Sequence, residues 1–333
     1  MPVVLKKMKT RDESIDVLRW LALTGIIMVH SEPSMFWSQL RSFDVPLMVI
    51  LSALCFANSK GIVDKKQYYI KRFVRLVIPA WIFLISYFSI SLIIGCDIEL
   101  KKVIMCFTLT TSWYLWIIRI LVVMALLAPF LICTKKMTKN QLLFLCMFLL
   151  GGSEVLALVS DYYYYVVLIM FIPYTSYYII GINLNRFSGD KIEKTGLLFL
   201  ALFVIIAATL YYQTGEFILT GDYKYPPRLY YTSYALGFSA ILWRYRVRIV
   251  DFLKKTKIKN FALFVGSHTF WIYLWHIPIV DNMVSRYDSI TCFFTTYFVS
   301  IILTYLQSLI VGKICRCVNN EESSKYLKMI FEG

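Results

Sequence analysis

The stretch WYLWIIRILVVMALLAPFLIC, residues 113–133, decides the fold class. Arg119 is its one formal charge. A helix rises about 1.5 Å per residue, and a bilayer hydrocarbon core is about 30 Å thick, so a run of this length can cross it. Nine further apolar runs lie on either side, at 15–31, 44–58, 74–95, 141–159, 162–183, 195–213, 228–244, 261–280 and 290–314. The first two are short for a full crossing and must extend into polar flanks or pack inside the bundle. Hydrophobic residues make up 59% of the chain and charged residues 17%, against about 25% charged in soluble domains. A β-barrel would alternate apolar and polar residues and leave no such runs. The expected fold is an all-α integral membrane protein: one transmembrane domain over 1–333, about ten spanning helices, and short tails at about 1–14 and 315–333. The first run continues into Glu32-Pro33 rather than a small-residue cleavage site, so no cleaved leader is expected.

Basic residues mark the cytoplasmic side of a membrane helix. With the N-terminus inside, 27 of the 35 lysines and arginines fall in cytoplasmic segments and five (Arg41, Lys101, Lys102, Lys224 and Arg286) fall outside; the rest lie within or at the edges of runs. Both termini are therefore expected in the cytoplasm. Because the net charge of +15 is spread over separate inside loops, it does not point to nucleic acid. Four of the eight cysteines (Cys55, Cys133, Cys146 and Cys292) fall in the runs, where a small apolar role suffices. Cys96 and Cys106 share an outside segment and could pair. No metal signature, Walker loop or GxGxxG is present, and no internal repeat is visible, which weakens a transporter built from inverted repeats.

Ionisable groups inside a membrane are costly and tend to be functional. Here they are Asp16, Arg19, His30, Arg119, Glu154, Arg228 and His276. Arg19 and His30 stand eleven residues apart, almost three full turns, so they project from one helix face roughly 16 Å apart. Asp16 lies three residues before Arg19, close enough to orient it. Each has a plain alternative: Asp16 follows a candidate N-cap, Ser14; Arg19 can snorkel; His30 can simply end a helix before Pro33. A cation and an imidazole on one face point instead to a lined cavity. Arg72 and Arg75 sit one turn apart and could hold phosphates, or anchor the helix at the inner surface. His276 lies among Trp271, Tyr273 and Trp275, and His268 near the inner end of the same run. Glu154 has Arg119 or Arg228 as potential partners. Lys224 and Tyr225, in the tyrosine-rich segment before helix eight, suit an acceptor sugar or an ordinary interfacial cluster.

These motifs, in this order, resemble the membrane-bound bacterial acyltransferases of acyltransferase family 3, which include polysaccharide O-acetylases. Arg19 with His30 is similar to the Arg/Lys-x10-His signature. Val45-Pro46-Leu47-Met48-Val49-Ile50-Leu51-Ser52-Ala53 resembles the second-helix motif, Arg72-Phe73-Val74-Arg75 before Pro79 the Arg-x-x-Arg element, and Trp113-Tyr114-Leu115 the Trp-Phe-Leu element. Thr269 to His276 resembles Ser-Phe-x-Ile-Tyr-Leu-x-His. The likeness covers about 11–310, without an added extracytoplasmic domain. Met48-Val49 replace the usual Phe-Phe, and Ala53 replaces a glycine, which should hold helix backbones further apart there.

The resemblance implies an acetyl-CoA-dependent O-acetyltransferase, or one using another acyl-CoA, in a bacterial inner membrane. It would transfer to a hydroxyl of a cell-surface or lipid-linked polysaccharide, with no bound cofactor or metal. His30 and Arg19 would be catalytic, Arg72 and Arg75 would bind acyl-CoA, and Asp16, Tyr273 and His276 would support them. An imidazole titrates near neutrality and can serve as general base or take the acyl group itself. A glycolipid or polysaccharide transporter and an acyltransferase with a small-molecule acceptor stand as alternatives.

Overall fold

The structure, a computed structural model, describes residues 12–59, 64–111, 113–159, 169–318 and 320–332. Lys6, Lys7, Lys9, Arg11 and Lys60 of the inside charge set, and residues 162–168 of the sixth expected helix, lie outside them. The described residues form fourteen α-helices and no strand. They are α1 Glu13–Val29, α2 Met35–Leu40, α3 Asp44–Asn58, α4 Lys65–Ile93, α5 Leu100–Phe107, α6 Trp116–Leu131, α7 Lys139–Val159, α8 Phe171–Asn183, α9 Gly189–Thr214, α10 Leu229–Lys255, α11 Lys259–Ser267, α12 Thr269–Met283, α13 Ser289–Cys317 and α14 Glu321–Phe331.

Side-chain oxygens set several helix starts, satisfying backbone N–H groups that have no partner within the helix. Asp12, not Ser14, caps α1: its carboxylate accepts from Ser14 N at 3.1 Å and from Ser14 Oγ at 2.6 Å. Asp64 caps α4 through Lys66 N at 2.8 Å. The basic segment 65–76 is therefore the first three turns of α4 and continuous with its apolar part.

Among the described residues, six stretches are long and apolar enough to cross a membrane, or seven when the bent pair α11–α12 is taken as one span. That is fewer than the ten runs of the sequence. Helix α1 has only 17 residues, the helix α8 of the sixth run has 13, and α10 carries Arg244, Arg246 and Arg248 in its second half. The run 261–280 is not one helix: α11 and α12 meet at 84°. The break follows Gly266-Ser267, a pair that weakens a helix. At His268 the backbone leaves helical geometry, and its ring Nδ1 lies 2.9 Å from both Ser267 Oγ and Phe264 O.

Helix α1 is the hub, packing on α3, α10, α11, α12 and α13. The α2–α3 stretch is 67% buried, whereas the most apolar part of α9 is 6% buried. Both stretches are apolar enough to cross a membrane, yet α3 fills the core while α9 leaves its apolar surface uncovered by protein. Helices approach closely where small residues allow it. A Cβ on Gly181 would fall 2.7 Å from the Ala53 Cβ and collide with the Ile50 carbonyl. The close approach expected to be lost with Ala53 is thus restored from the facing helix. The C-terminal segment is not a loose tail: α14 packs on α4 and α13. Trp271 Nε1 donates to Ile330 O, and Gln307 Nε2 to Phe331 O, each at 2.7 Å.

Candidate functional site

His30 is the residue at which α1 ends. Its half-buried ring meets Tyr114 edge-on at 4.6 Å and lies 5.2 Å from the ring of His276. Two imidazoles separated by about 250 residues in sequence thus share one site. His276 is fully buried. Its Nδ1 contacts the Tyr273 carbonyl oxygen. That oxygen can only accept, so Nδ1 carries the proton and Nε2 presents a lone pair. Among the described residues Nε2 has no partner. Tyr273 also donates its hydroxyl to the Tyr114 carbonyl, tying α12 to the segment before α6. Tyr87 donates to Asp281 Oδ2 at 3.1 Å and packs on Trp113, walling the site from the α4 side.

Next to His30 lies a cavity of about 180 Å³, lined among others by Arg41, Asp44, Trp116, Lys224 and Tyr273. Arg41 and Asp44 form a buried ion pair at 2.9 Å. They stand at the α2–α3 junction, three residues apart, within reach across one helical turn. The segment before α10 folds over this end. Gln39 Oε1 accepts from Thr220 N at 3.0 Å and from Thr220 Oγ1 at 3.1 Å, and Tyr230 donates to Ile218 O at 2.9 Å. Lys224 is thereby held inside, 6% exposed, with its ammonium 4.8 Å from the Trp116 ring and 5.5 Å from the Tyr225 ring. Burial pushes this ammonium down to about 8; Asp44 opposes the shift and Arg41 adds to it.

A second polar group gathers at the opposite end of α1. Arg19 Nη1 lies 3.6 Å from Asp16 Oδ1, and Nη2 lies 3.4 Å from Cys55 Sγ. Nearby, Tyr68 bonds to Ala125 O at 3.0 Å and packs on Phe56, while the Arg72 guanidinium sits 5.3 Å from the Tyr68 ring. Arg72 is half-buried and Arg75 exposed.

The expected residues therefore fall into two sets. His30, Tyr273, His276 and Lys224 meet at one end of α1, with Tyr225 stacked edge-on against Trp116 at 5.2 Å. Asp16 and Arg19 meet at the other end, toward Arg72. Glu154 pairs with Arg228 rather than Arg119: Oε1 accepts from Arg228 Nε and Oε2 from Leu229 N, each at 2.7 Å. Arg119 instead donates to Thr110 O at 3.2 Å. Cys96 is exposed and Cys106 buried, and both are free. No group of three or more potential metal ligands occurs among the described residues. The sequence reading missed Arg41 and Asp44 as site residues. Their three-residue spacing at the head of an apolar run was the available signal.

A family model described as an acyltransferase domain, acyltransferase family 3, matches residues 12–313, so the chain belongs to that family. No curated protein and no solved structure matches it significantly. The span covered contains both polar sets, and with the apolar helices it makes the chain a multi-pass membrane acyltransferase.

Proposed function

We propose that this acyltransferase moves an acyl group, most simply acetyl, from cytoplasmic acyl-CoA to a hydroxyl of a cell-surface or lipid-linked polysaccharide. All ten runs would cross a bacterial inner membrane in this reading, with both termini inside. The observation that carries it is the pairing of His30 with His276 beside a cavity, at the end of α1 opposite the basic set. A sugar hydroxyl is a poor nucleophile at neutral pH, and a ring nitrogen can take its proton as the oxygen attacks the thioester carbonyl. The carbon–sulfur bond then breaks and CoA leaves as its thiol, taking up a proton. His30 is the half-buried imidazole at the cavity and serves as base. His276, with Nδ1 held by a carbonyl and Nε2 bare, is placed to relay that proton. Arg72 and Arg75 would hold CoA phosphates at the inner surface, and Arg19, kept in line by Asp16, would meet the arm that carries the thioester.

The test is mass spectrometry of the host's surface polysaccharide from wild type, a deletion and His30→Ala. Loss of an acyl-sized mass in both mutants is expected. An unchanged glycan in the deletion refutes a polysaccharide acceptor.

A further inference from the structure

Charge accounting in the outer cavity leaves one cation without a counter-charge. Arg41 and Lys224 are both buried, 9% and 6% exposed, and the single carboxylate among the cavity's lining residues is Asp44. That carboxylate is already used: Oδ2 takes Arg41 Nη1 at 2.9 Å and Oδ1 takes Val45 N at 2.6 Å. Lys224 makes no side-chain hydrogen bond or ion pair among the described residues; two aromatic rings lie against it, and Asp44, the one carboxylate near it, is committed to Arg41. Arg41 Nε is buried with no partner among the described residues. Burying a charge is costly unless it is paired, and donors left without acceptors add to that cost. Aromatic faces offset only part of it.

We propose that this cavity takes an acceptor bearing an anionic group, a carboxylate or a phosphate, close to the hydroxyl that is acylated. The proposal rests on the acyl-transfer reading above and names the substrate class of the same site. The anion would lie against Lys224 and Arg41 Nε, completing the charge that Asp44 leaves over. The Trp116 and Tyr273 side chains would cover the sugar, and its hydroxyl would point at His30. A neutral sugar of the same size would fill the volume and leave the Lys224 ammonium unpaired.

The probes are methyl glucuronide, glucose phosphate and methyl glucoside. They are titrated calorimetrically into the full chain in phosphatidylcholine nanodiscs at neutral pH. At least one anionic probe should bind about tenfold tighter than the neutral one, the scale of a single buried charge pair. Lys224→Met should erase that difference and Lys224→Arg keep it. Preference for the glucuronide names a uronic-acid type acceptor, and preference for the phosphate a phosphorylated or lipid-phosphate acceptor. Equal binding of all three by wild type, or binding of none, overturns the proposal whether or not the variants fold. A parallel incubation with radiolabelled acetyl-CoA separates the two readings. Anion-selective binding without label on any probe keeps the anion site and refutes acyl transfer to these sugars. Equal label on the neutral sugar keeps acyl transfer and refutes this inference.

Discussion

Gly266→Ala is the substitution expected to damage this molecule most for the fewest atoms added. Gly266 lies in α11 directly against the first turns of α1. A Cβ there would collide with the Asp16 carbonyl oxygen and fall 2.5 Å from its carbon and 3.0 Å from its Cα. Carbon atoms in contact prefer about 3.5–4.0 Å, so the two helices must separate by about 1 Å. The obstacle is backbone in the middle of a turn and cannot rotate away. Overpacking of this kind costs about 1–3 kcal/mol, and the upper end applies where nothing flexible can yield. Under the proposed function the displacement would also lower activity, because α1 carries Asp16 and Arg19 at this end and His30 at the other. A misplacement of about 1 Å can cost about 100-fold in rate. Gly312→Ala is the control, since no atom lies within 4 Å of a Cβ built there, and it should be neutral or stabilising by up to about 1 kcal/mol. The assays are the thermal unfolding midpoint in detergent and acyl incorporation into surface polysaccharide. A Gly266→Ala protein that melts with the wild type and retains full incorporation would refute the close-packing argument.

Lys224 gives a pH prediction. Its ammonium titrates at about 8 in the folded chain against 10.5 ordinarily. Between those values the unfolded chain binds the extra proton, so stability should rise with pH across that window, by up to about 3 kcal/mol. Lys224→Met should lack this contribution, and a stability difference between wild type and variant that stays flat from pH 8 to 10.5 contradicts the assigned burial. Glu154→Gln weakens the tie between α7 and the start of α10 at a half-exposed ion pair; a loss of about 1 kcal/mol is expected in the melting midpoint. Removing residues 321–333 takes away the Phe331 ring stacked on Trp271 at 5.7 Å. The truncated chain should melt lower while remaining membrane-inserted, as judged by alkaline extraction. His276→Ala should lower acyl incorporation at least about 100-fold, as loss of a proton-transfer group does, with the melting midpoint measured alongside to separate chemistry from packing.

The sequence by itself determined the helical membrane class, because runs of apolar residues bounded by basic clusters have few other physical solutions. It also placed Arg19 and His30 on one helix, since their spacing is a property of the helix alone. The short first two runs made sense only in three dimensions: α3 joins α2 in a 24-residue stretch that is 67% buried, and α1 packs on five other helices. Hydropathy cannot distinguish α3 from α9, as both are apolar and only packing says which faces protein. The α11–α12 bend was partly legible in Gly266-Ser267, but its angle of 84° and the packing of α11 on α1 were not. The tertiary structure alone decided that His276 meets His30 and that Glu154 chooses Arg228. It also folded Lys224 back onto Arg41, Asp44 and Trp116. Such pairings depend on how distant helices are arranged around α1, and no local periodicity encodes that arrangement.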